Sequence, residues 1–175
     1  MLTKEKILHL FSALNDALAK RGERGEVGII GGAAMCLLFD ARKSTKDVDG
    51  IFKPAATLRK LIAQVAEDER VDADWLNDAA KGFIEGTFDR MPIWNGTHLV
   101  VWAPEAKYLL AMKCLSGRWD SMDRKDVEFL VRLLKIANAN TVFDIIQHFF
   151  PKDSVPPKTE YFLEELFEKM KGRSG

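Results

Sequence analysis

Helical periodicity dominates the hydrophobic pattern of this chain. Apolar residues recur at steps of three and four residues in seven segments, and each of these segments is predicted to be an amphipathic helix: 3–20, 33–39, 55–68, 104–116, 123–136, 141–149 and 159–171. Thr3 is the expected N-cap of the first helix. A further short helix is expected from Asp72 to Ala79, because an aspartate in the capping position precedes Trp75 and Leu76.

Shorter apolar runs predict strands between these helices. The runs cover 26–30, 47–52, 83–94 and 97–102. The first ends at Gly31-Gly32, and the last two are joined by Asn95-Gly96, which is a strong hairpin signal. The order of elements predicts an α/β (α+β) fold, in which a small mixed sheet of about four to five strands is flanked by helices. We expect residues 1–103 to form this core and residues 104–175 to form a helical C-terminal part, packed on the core as one compact unit.

Composition narrows the class of protein. The 26 Lys and Arg residues balance 26 Asp and Glu residues, which argues against a protein that holds long nucleic acid through bulk charge. A short, local contact with RNA or a nucleotide stays compatible with this balance. Cys36 and Cys114 lie in apolar helical patterns, as buried thiols in a reducing compartment do. The N-terminal residues do not resemble a signal peptide, and no run of about 18 apolar residues occurs, so we expect a cytoplasmic protein with no membrane partner.

The densest chemical feature is Asp47-Val48-Asp49. Alternate side chains of a strand share a face, so the two carboxylates are expected side by side. A divalent cation such as Mg²⁺ would relieve their repulsion. A solvated sheet edge is the alternative interpretation.

The diglycine upstream makes the interpretation of the acidic pair as a functional site more specific. Glycines between a strand and a helix let a phosphate approach the backbone and the free amides of the helix end, although an ordinary tight turn needs them too. Fourteen residues separate Gly32 from Asp47, which is enough for one helix and a return to the neighbouring strand. We therefore expect the diglycine and the acidic pair to meet on one side of the sheet.

Further charges lie near these elements. Lys113 and Asp126 occupy positions close to the apolar stripes of successive helices, where they form either a structural ion pair or part of a nucleotide site. Other cations would neutralise phosphates or guide RNA, or are solvated surface charges: Arg42, Lys43, Lys46, Arg118, Arg124 and Lys125.

Together these residues resemble the signature of the nucleotidyltransferase (polymerase-β-like) superfamily. That signature is a glycine-glycine or glycine-serine turn followed by a strand with two acidic residues, here Gly31-Gly32-Ala33-Ala34 and then Ser44-Thr45-Lys46-Asp47-Val48-Asp49. A later stretch is similar to the abortive-infection (AbiE-type) nucleotidyltransferase toxins of bacterial toxin–antitoxin systems and to small uncharacterised relatives: Leu109-Leu110-Ala111-Met112-Lys113-Cys114-Leu115, then Arg118 and Arg124-Lys125-Asp126. The stretch Trp75-Leu76-Asn77-Asp78 resembles a motif of small stand-alone members and suggests that Asn77 lies near the pocket.

The resemblance implies a nucleotidyltransferase-like sheet and two-metal chemistry with Mg²⁺ or Mn²⁺, in which a nucleoside monophosphate (NMP) moves from an NTP to an acceptor. In the toxins the acceptor is typically the 3′ end of tRNA or a protein hydroxyl, so the implied partners are an NTP, a tRNA or other RNA, and a cognate antitoxin protein. By match of motif the catalytic residues would be Asp47, Asp49, Lys113 and Asp126, with the metal on Asp47 and Asp49. The expected nucleotide-binding residues are Gly31, Gly32, Arg42, Thr45 and Lys46.

The match departs from the superfamily pattern at one position. Many members carry a third carboxylate on a later strand, and residues 98–102 contain none, which leaves Asp89 or Glu85 as substitutes. A degenerate copy that binds without turnover, or a non-catalytic toxin–antitoxin partner, is therefore the alternative function. Its partner surface would be the aromatic residues of the C-terminal part, which otherwise fill a core: Phe149, Phe150, Phe162 and Phe167.

A second enzyme class shares part of the acidic motif. Asp47-Val48-Asp49-Gly50 also resembles the start of a haloacid-dehalogenase phosphatase. In that class an apolar strand ends at the nucleophilic aspartate, whereas here the polar run 42–46 precedes it, and the diglycine would be unexplained.

Overall fold

A five-stranded mixed sheet forms the centre of the first part of the chain. The computed structural model describes residues 1–82, 84–117 and 121–172. Its strands, which include those of this sheet, are β1 (Leu2–Thr3), β2 (Gly25–Ile30), β3 (Ser44–Thr45), β4 (Val48–Lys53), β5 (Leu76–Asn77), β6 (Arg90–Asn95) and β7 (Leu99–Pro104). The sheet order is β5-β4-β2-β7-β6. Strand β2 pairs antiparallel with β4 and parallel with β7, while β1 and β3 form a separate two-stranded ribbon. The predicted small mixed sheet is thus confirmed.

Seven α-helices accompany these strands within the described ranges. They are α1 (Lys4–Lys20), α2 (Gly31–Phe39), α3 (Ala55–Asp68), α4 (Ala106–Ser116), α5 (Ser121–Leu133), α6 (Ala139–Phe149) and α7 (Pro157–Gly172), with a short 3₁₀-helix at Ala79–Gly82. The predicted N-cap is confirmed, since Thr3 Oγ1 accepts a hydrogen bond from the Lys6 amide at 3.3 Å. In the described part of the chain no helix combines the length and apolar content needed to cross a membrane.

The chain divides into two compact units. Unit 1 consists of Met1–Glu85 and Asp89–Pro104, and unit 2 consists of Gly86–Phe88 and the chain from Glu105 onward. Unit 1 contains the sheet with α1 to α3, and unit 2 contains α4 to α7.

In unit 1, helices α1 and α3 cover one face of the sheet. A Cβ added at Gly25 would lie 3.0 Å from Leu18 of α1 and 3.1 Å from Leu58 of α3. Val27 and Ile29 follow Gly25 at two-residue steps and are fully buried on that face. At the outer end of the two helices, Glu69 Oε2 accepts hydrogen bonds from Lys6 at 2.9 Å and His9 at 2.8 Å, which hold the pKa of Glu69 below its usual range.

The opposite face of the sheet carries Trp102. A Cβ at Gly28 would lie 2.4 Å from the Trp102 ring, so only glycine leaves room for the indole against the strand. Arg90 stacks over this ring at 4.2 Å, and Glu26 Oε1 accepts from Trp102 Nε1 at 2.9 Å and from Arg90 Nη1 at 2.8 Å.

Unit 2 has its own aromatic core. The Tyr108 ring is fully buried, with ring centroids 4.2 Å from Phe88 and 5.2 Å from Phe149 and from Phe150. Phe162 and Phe167 are buried as well, whereas Phe149 is half-buried, so most of these aromatic residues belong to the core of unit 2.

Both thiols are free and buried, as expected from their apolar surroundings. Burial raises the pKa of Cys114 to about 12 and also raises the pKa of Cys36.

One predicted helix is wrong. Instead of a helix from Asp72 to Ala79, Leu76–Asn77 forms β5, which pairs parallel with Val48 and Asp49 of β4. The Val48 amide donates to the Trp75 carbonyl at 2.8 Å, and the Trp75 indole is buried. A helix of two turns is marginal by itself, so pairing with a neighbouring strand prevails here.

Other boundaries differ by smaller amounts. Strand β4 begins at Val48, so Asp47 lies just before it, and α2 includes both glycines. Strand β6 begins at Arg90 rather than near residue 83, and Phe83 lies outside the described residues. Pro104 ends β7 instead of opening the following helix.

Candidate functional site

The diglycine forms the junction between β2 and α2. Gly31 has φ +66°, a left-handed conformation that favours glycine. Ile30 is the N-cap residue of α2, and its side chain makes no capping hydrogen bond. The first amides of a helix have no partner within it and attract negative charge. The junction therefore offers backbone donors to an anionic group.

Asp49 lies directly against this junction. The antiparallel register pairs Ile30 with Asp49, and a Cβ added at Gly31 would lie 3.4 Å from Asp49 Oδ2. The carboxylate thus occupies the space beside the first residue of α2. The register of two strands brings together two residues that are 18 positions apart in the sequence.

Arg42 and Thr45 lie over the second glycine. A Cβ added at Gly32 would lie 2.9 Å from Arg42 Nη1 and 2.9 Å from Thr45 Oγ1. Thr45 is only 6% exposed and lies in β3, whose pairing with β1 fixes its backbone. A guanidinium and a hydroxyl therefore flank the same backbone turn as Asp49.

The remaining expected residues of this cluster precede β4. Lys46 is exposed, and Asp47 is half-buried two residues before Asp49. Mg²⁺ is commonly held by one or two carboxylates together with substrate phosphates, and Asp47 and Asp49 suit that arrangement. Among the described residues, no group of three or more His, Cys, Asp or Glu side chains is placed so that it could hold a metal ion.

Asn77 flanks Asp49 on its other side. The parallel ladder of β4 and β5 pairs Asp49 with Asn77, so the two side chains share a face of the sheet. Asn77 Oδ1 accepts a hydrogen bond from the Ala79 amide at 3.0 Å, and the next residue, Asp78, forms an ion pair with Arg59. The segment that carries Asn77 thus has one internal hydrogen bond and one ion pair to α3.

The two residues proposed as substitutes for a third carboxylate lie outside the strands. Asp89 is exposed and immediately precedes β6, and Glu85 is exposed beyond the 3₁₀-helix. Neither takes a register position beside Asp49, since the strands paired with β4 are β2 and β5.

A second cluster of charges lies in unit 2. Lys113 Nζ is 2.6 Å from Asp126 Oδ2 and 2.8 Å from Asp123 Oδ1, and it joins α4 to α5. The sequence predicted the partnership of Lys113 with Asp126 but missed Asp123. Asp123 could have been predicted as a partner, because it lies three residues before Asp126 and residues three apart on a helix share a face.

The other cations that the sequence predicted as phosphate or RNA contacts in this part of the chain take no part in the Lys113 cluster where the structure describes them. Arg124 Cζ lies 5.3 Å from the Phe162 ring centroid, and Lys125 is exposed. Arg118 lies outside the described residues.

Comparison with known proteins identifies the family. A family model described as "Nucleotidyltransferase of unknown function (DUF6036)" matches residues 5–150. No curated protein and no solved structure matches the chain. The match includes both the diglycine cluster and the Lys113 cluster.

Proposed function

The chain belongs to this family of nucleotidyltransferases of unknown function, and from that premise we propose that it is a magnesium-dependent enzyme, which moves an NMP from an NTP to an RNA 3′ end or to a protein hydroxyl. Its likeness to the AbiE-type toxins suggests a tRNA as the RNA acceptor and a cognate antitoxin as the protein partner. Cytoplasmic location follows from the same proposal, because NTPs and tRNA are found there.

The proposal is supported most directly by the contact between Asp49 and the diglycine junction. An acidic side chain 3.4 Å from the Cβ position of Gly31 would repel a phosphate, unless a cation lies between them. Helix-end amides and a metal-holding carboxylate then face the same triphosphate from two sides.

In the proposed transfer the acceptor hydroxyl oxygen forms a bond to the α-phosphorus of the NTP. The bond from that phosphorus to the bridging oxygen breaks, pyrophosphate leaves, and the hydroxyl proton passes to water. Bound Mg²⁺, or Mn²⁺, would neutralise charge on the phosphates and favour ionisation of the attacking hydroxyl.

Residues of unit 1 would hold the nucleotide in place. Asp47 and Asp49 hold the metal, and the amides at Gly31 and Gly32 donate to the triphosphate. Three polar side chains nearby complete the nucleotide site: Arg42, Thr45 and Lys46. Lys113 and Asp126 are proposed as catalytic only through their match to the toxin motif.

The direct test is a labelling reaction. Purified protein is incubated with Mg²⁺, total RNA and each radiolabelled NTP in turn, and labelled RNA and labelled protein are scored separately. We expect one of the two pools to be labelled, and we expect D47N and D49N to abolish the signal. The matched control is D153N, which changes an exposed aspartate outside the cluster. Full labelling by D49N would refute the assignment.

The toxin role has its own test. Induced expression of the wild-type chain should arrest growth of the host, whereas D49N at the same level should not. Arrest by both variants would separate toxicity from nucleotidyl transfer.

A non-catalytic nucleotide-binding protein is the second candidate, because the described residues include no third acidic side chain beside the pair. A thermal melt discriminates between the candidates in combination with labelling. Stabilisation by NTP with Mg²⁺ reports binding, and binding without any labelled acceptor favours the degenerate protein. Absence of both would exclude both candidates.

A further inference from the structure

We propose that Asn77 binds the nucleotide through its side-chain amide, which donates a hydrogen bond to the phosphates beside Asp49. This inference rests on the proposed function, since it assigns a further ligand contact in the same site. The family match names no residues, and the sequence motif suggests only that Asn77 lies near the pocket, without assigning it a contact.

The first step of the argument for Asn77 is its position next to Asp49 in the sheet. Asp49 has two register neighbours, Ile30 on β2 and Asn77 on β5. The Ile30 side leads directly to Gly31 and the amides of α2. Neighbouring strands lie about 4.8 Å apart, so a phosphate held by a metal on Asp49 would have helix-end amides on one side and Asn77 on the other.

The second step is the state of the amide. Asn77 Oδ1 already accepts from the Ala79 amide, which orients the side chain and leaves Nδ2 as its remaining polar atom. Within the described ranges Nδ2 makes no hydrogen bond, although the residue is half-buried. An oriented donor beside a metal-holding carboxylate suits an anionic oxygen, and hydrogen bonds of this kind are stronger than neutral ones.

The third step is the rigidity of the segment. Trp75 is buried, with its indole Nε1 donating to the Ile62 carbonyl at 3.3 Å, and Asp78 is paired with Arg59. The residues on both sides of Asn77 are therefore anchored to α3. Such anchoring holds a binding group in place before the ligand arrives.

Substitution by aspartate separates the donor from the acceptor. N77D keeps an oxygen for the Ala79 amide but replaces the donor with a second acceptor. The matched control is N138D, because Asn138 Oδ1 likewise accepts from a backbone amide, that of Thr141, at 3.0 Å, and aspartate caps helices equally well. Titration calorimetry with the Mg²⁺ complexes of ATP, GTP, CTP and UTP gives the affinities, and a titration with Mg²⁺ alone checks whether the new carboxylate binds metal.

We expect N77D to bind the preferred NTP at least about tenfold more weakly than wild type, as loss of a hydrogen bond to a charged group implies. N138D should bind within about twofold of wild type. Wild-type affinity in N77D would overturn the role of Asn77 and leave the proposed function intact. Failure of the wild-type protein to bind any of the four NTPs would instead refute the proposed function.

A measurement on the wild-type chain covers the case in which N77D does not fold. In a ¹⁵N-resolved NMR titration with the preferred Mg·NTP, the Asn77 side-chain amide should shift together with the backbone amides of Gly31 and Gly32. Shifts at the glycines without any change at the Asn77 amide would overturn the proposal.

Discussion

Replacement of Lys113 by methionine tests whether the charge cluster of unit 2 is a structural element. The variant keeps a long side chain but removes the cation between Asp123 and Asp126. At 2.6 Å the attraction between Lys113 and Asp126 is about 6 kcal/mol for an effective dielectric constant of about 20. Desolvation of both ions opposes most of that attraction in the wild-type protein. Removal of Lys113 alone abolishes the attraction, while the Asp126 carboxyl group, only 2% exposed, stays desolvated.

We therefore expect K113M to lower the free energy of unfolding by about 3–5 kcal/mol. Urea unfolding followed by tryptophan fluorescence should show a midpoint lower by more than about 1 M. The control is K107M, an exposed lysine on the same helix, which should change the free energy by less than about 0.5 kcal/mol. The double variant K113M/D126N should be more stable than K113M, because it also removes the negative charge of the buried Asp126 side chain.

A loss of less than about 1 kcal/mol in K113M would refute this reasoning. If such a stable variant also lost nucleotidyl transfer, the catalytic role implied by the toxin motif would be favoured over the structural ion pair. A large loss of stability that K113M/D126N partly restores would support the ion pair.

Three further predictions concern separate parts of the molecule. G32A places a methyl group 2.9 Å from two side chain atoms and should lower both the melting temperature and NTP binding, at a cost of about 1–3 kcal/mol, whereas G82A meets no atom within 4 Å and should lower neither. Hydrogen bonds from Lys6 and His9 hold the pKa of Glu69 below its ordinary 4.5, so Glu69 contributes stability that is present above pH 4.5 and is lost as the pH falls through the lowered pKa. Acid unfolding of E69Q should lack this component, and an acid transition identical to that of wild type would contradict the prediction. Cys114, with its pKa raised to about 12, should not react with Ellman's reagent at pH 8 until the protein is denatured, and rapid labelling of the native chain would show that it is accessible.

Local patterns were sufficient for most of the helices and for the inner strands. The segment 55–68 was predicted with its observed bounds, because its apolar stripe faces a single layer, with Leu58 and Leu61 buried. Apolar runs and a hairpin signal predicted four of the five strands of the sheet, and β5 was missed. The packing of residues 1–103 and 104–175 as one compact unit stays a prediction.

The candidate site was predictable where its residues are close in sequence to a recognisable turn. The diglycine and Asp49 form such a case, since one helix and one return strand separate them. Arg42 and Thr45 were selected for charge and motif, and their place over Gly32 depends on the β1–β3 ribbon, which no periodicity indicates. The roles of all these residues, and of the metal, stay predictions.

The wrongly predicted helix contains Asn77, whose place beside Asp49 only the strand register shows. Local propensity favoured a helix after Asp72, but pairing with β4 made Leu76 and Asn77 an edge strand. In a helix, Asn77 would have no register relation to Asp49, whereas in β5 the two are neighbours on one face. A segment that leaves its preferred local structure loses stability unless other interactions compensate for the loss. Buried Trp75 and the Arg59–Asp78 ion pair account for the anchoring of the strand, but they do not require an amide at position 77. Asn77 Nδ2, which makes no hydrogen bond within the described residues, would gain one from a ligand bound at Asp49, and the N77D comparison tests that point.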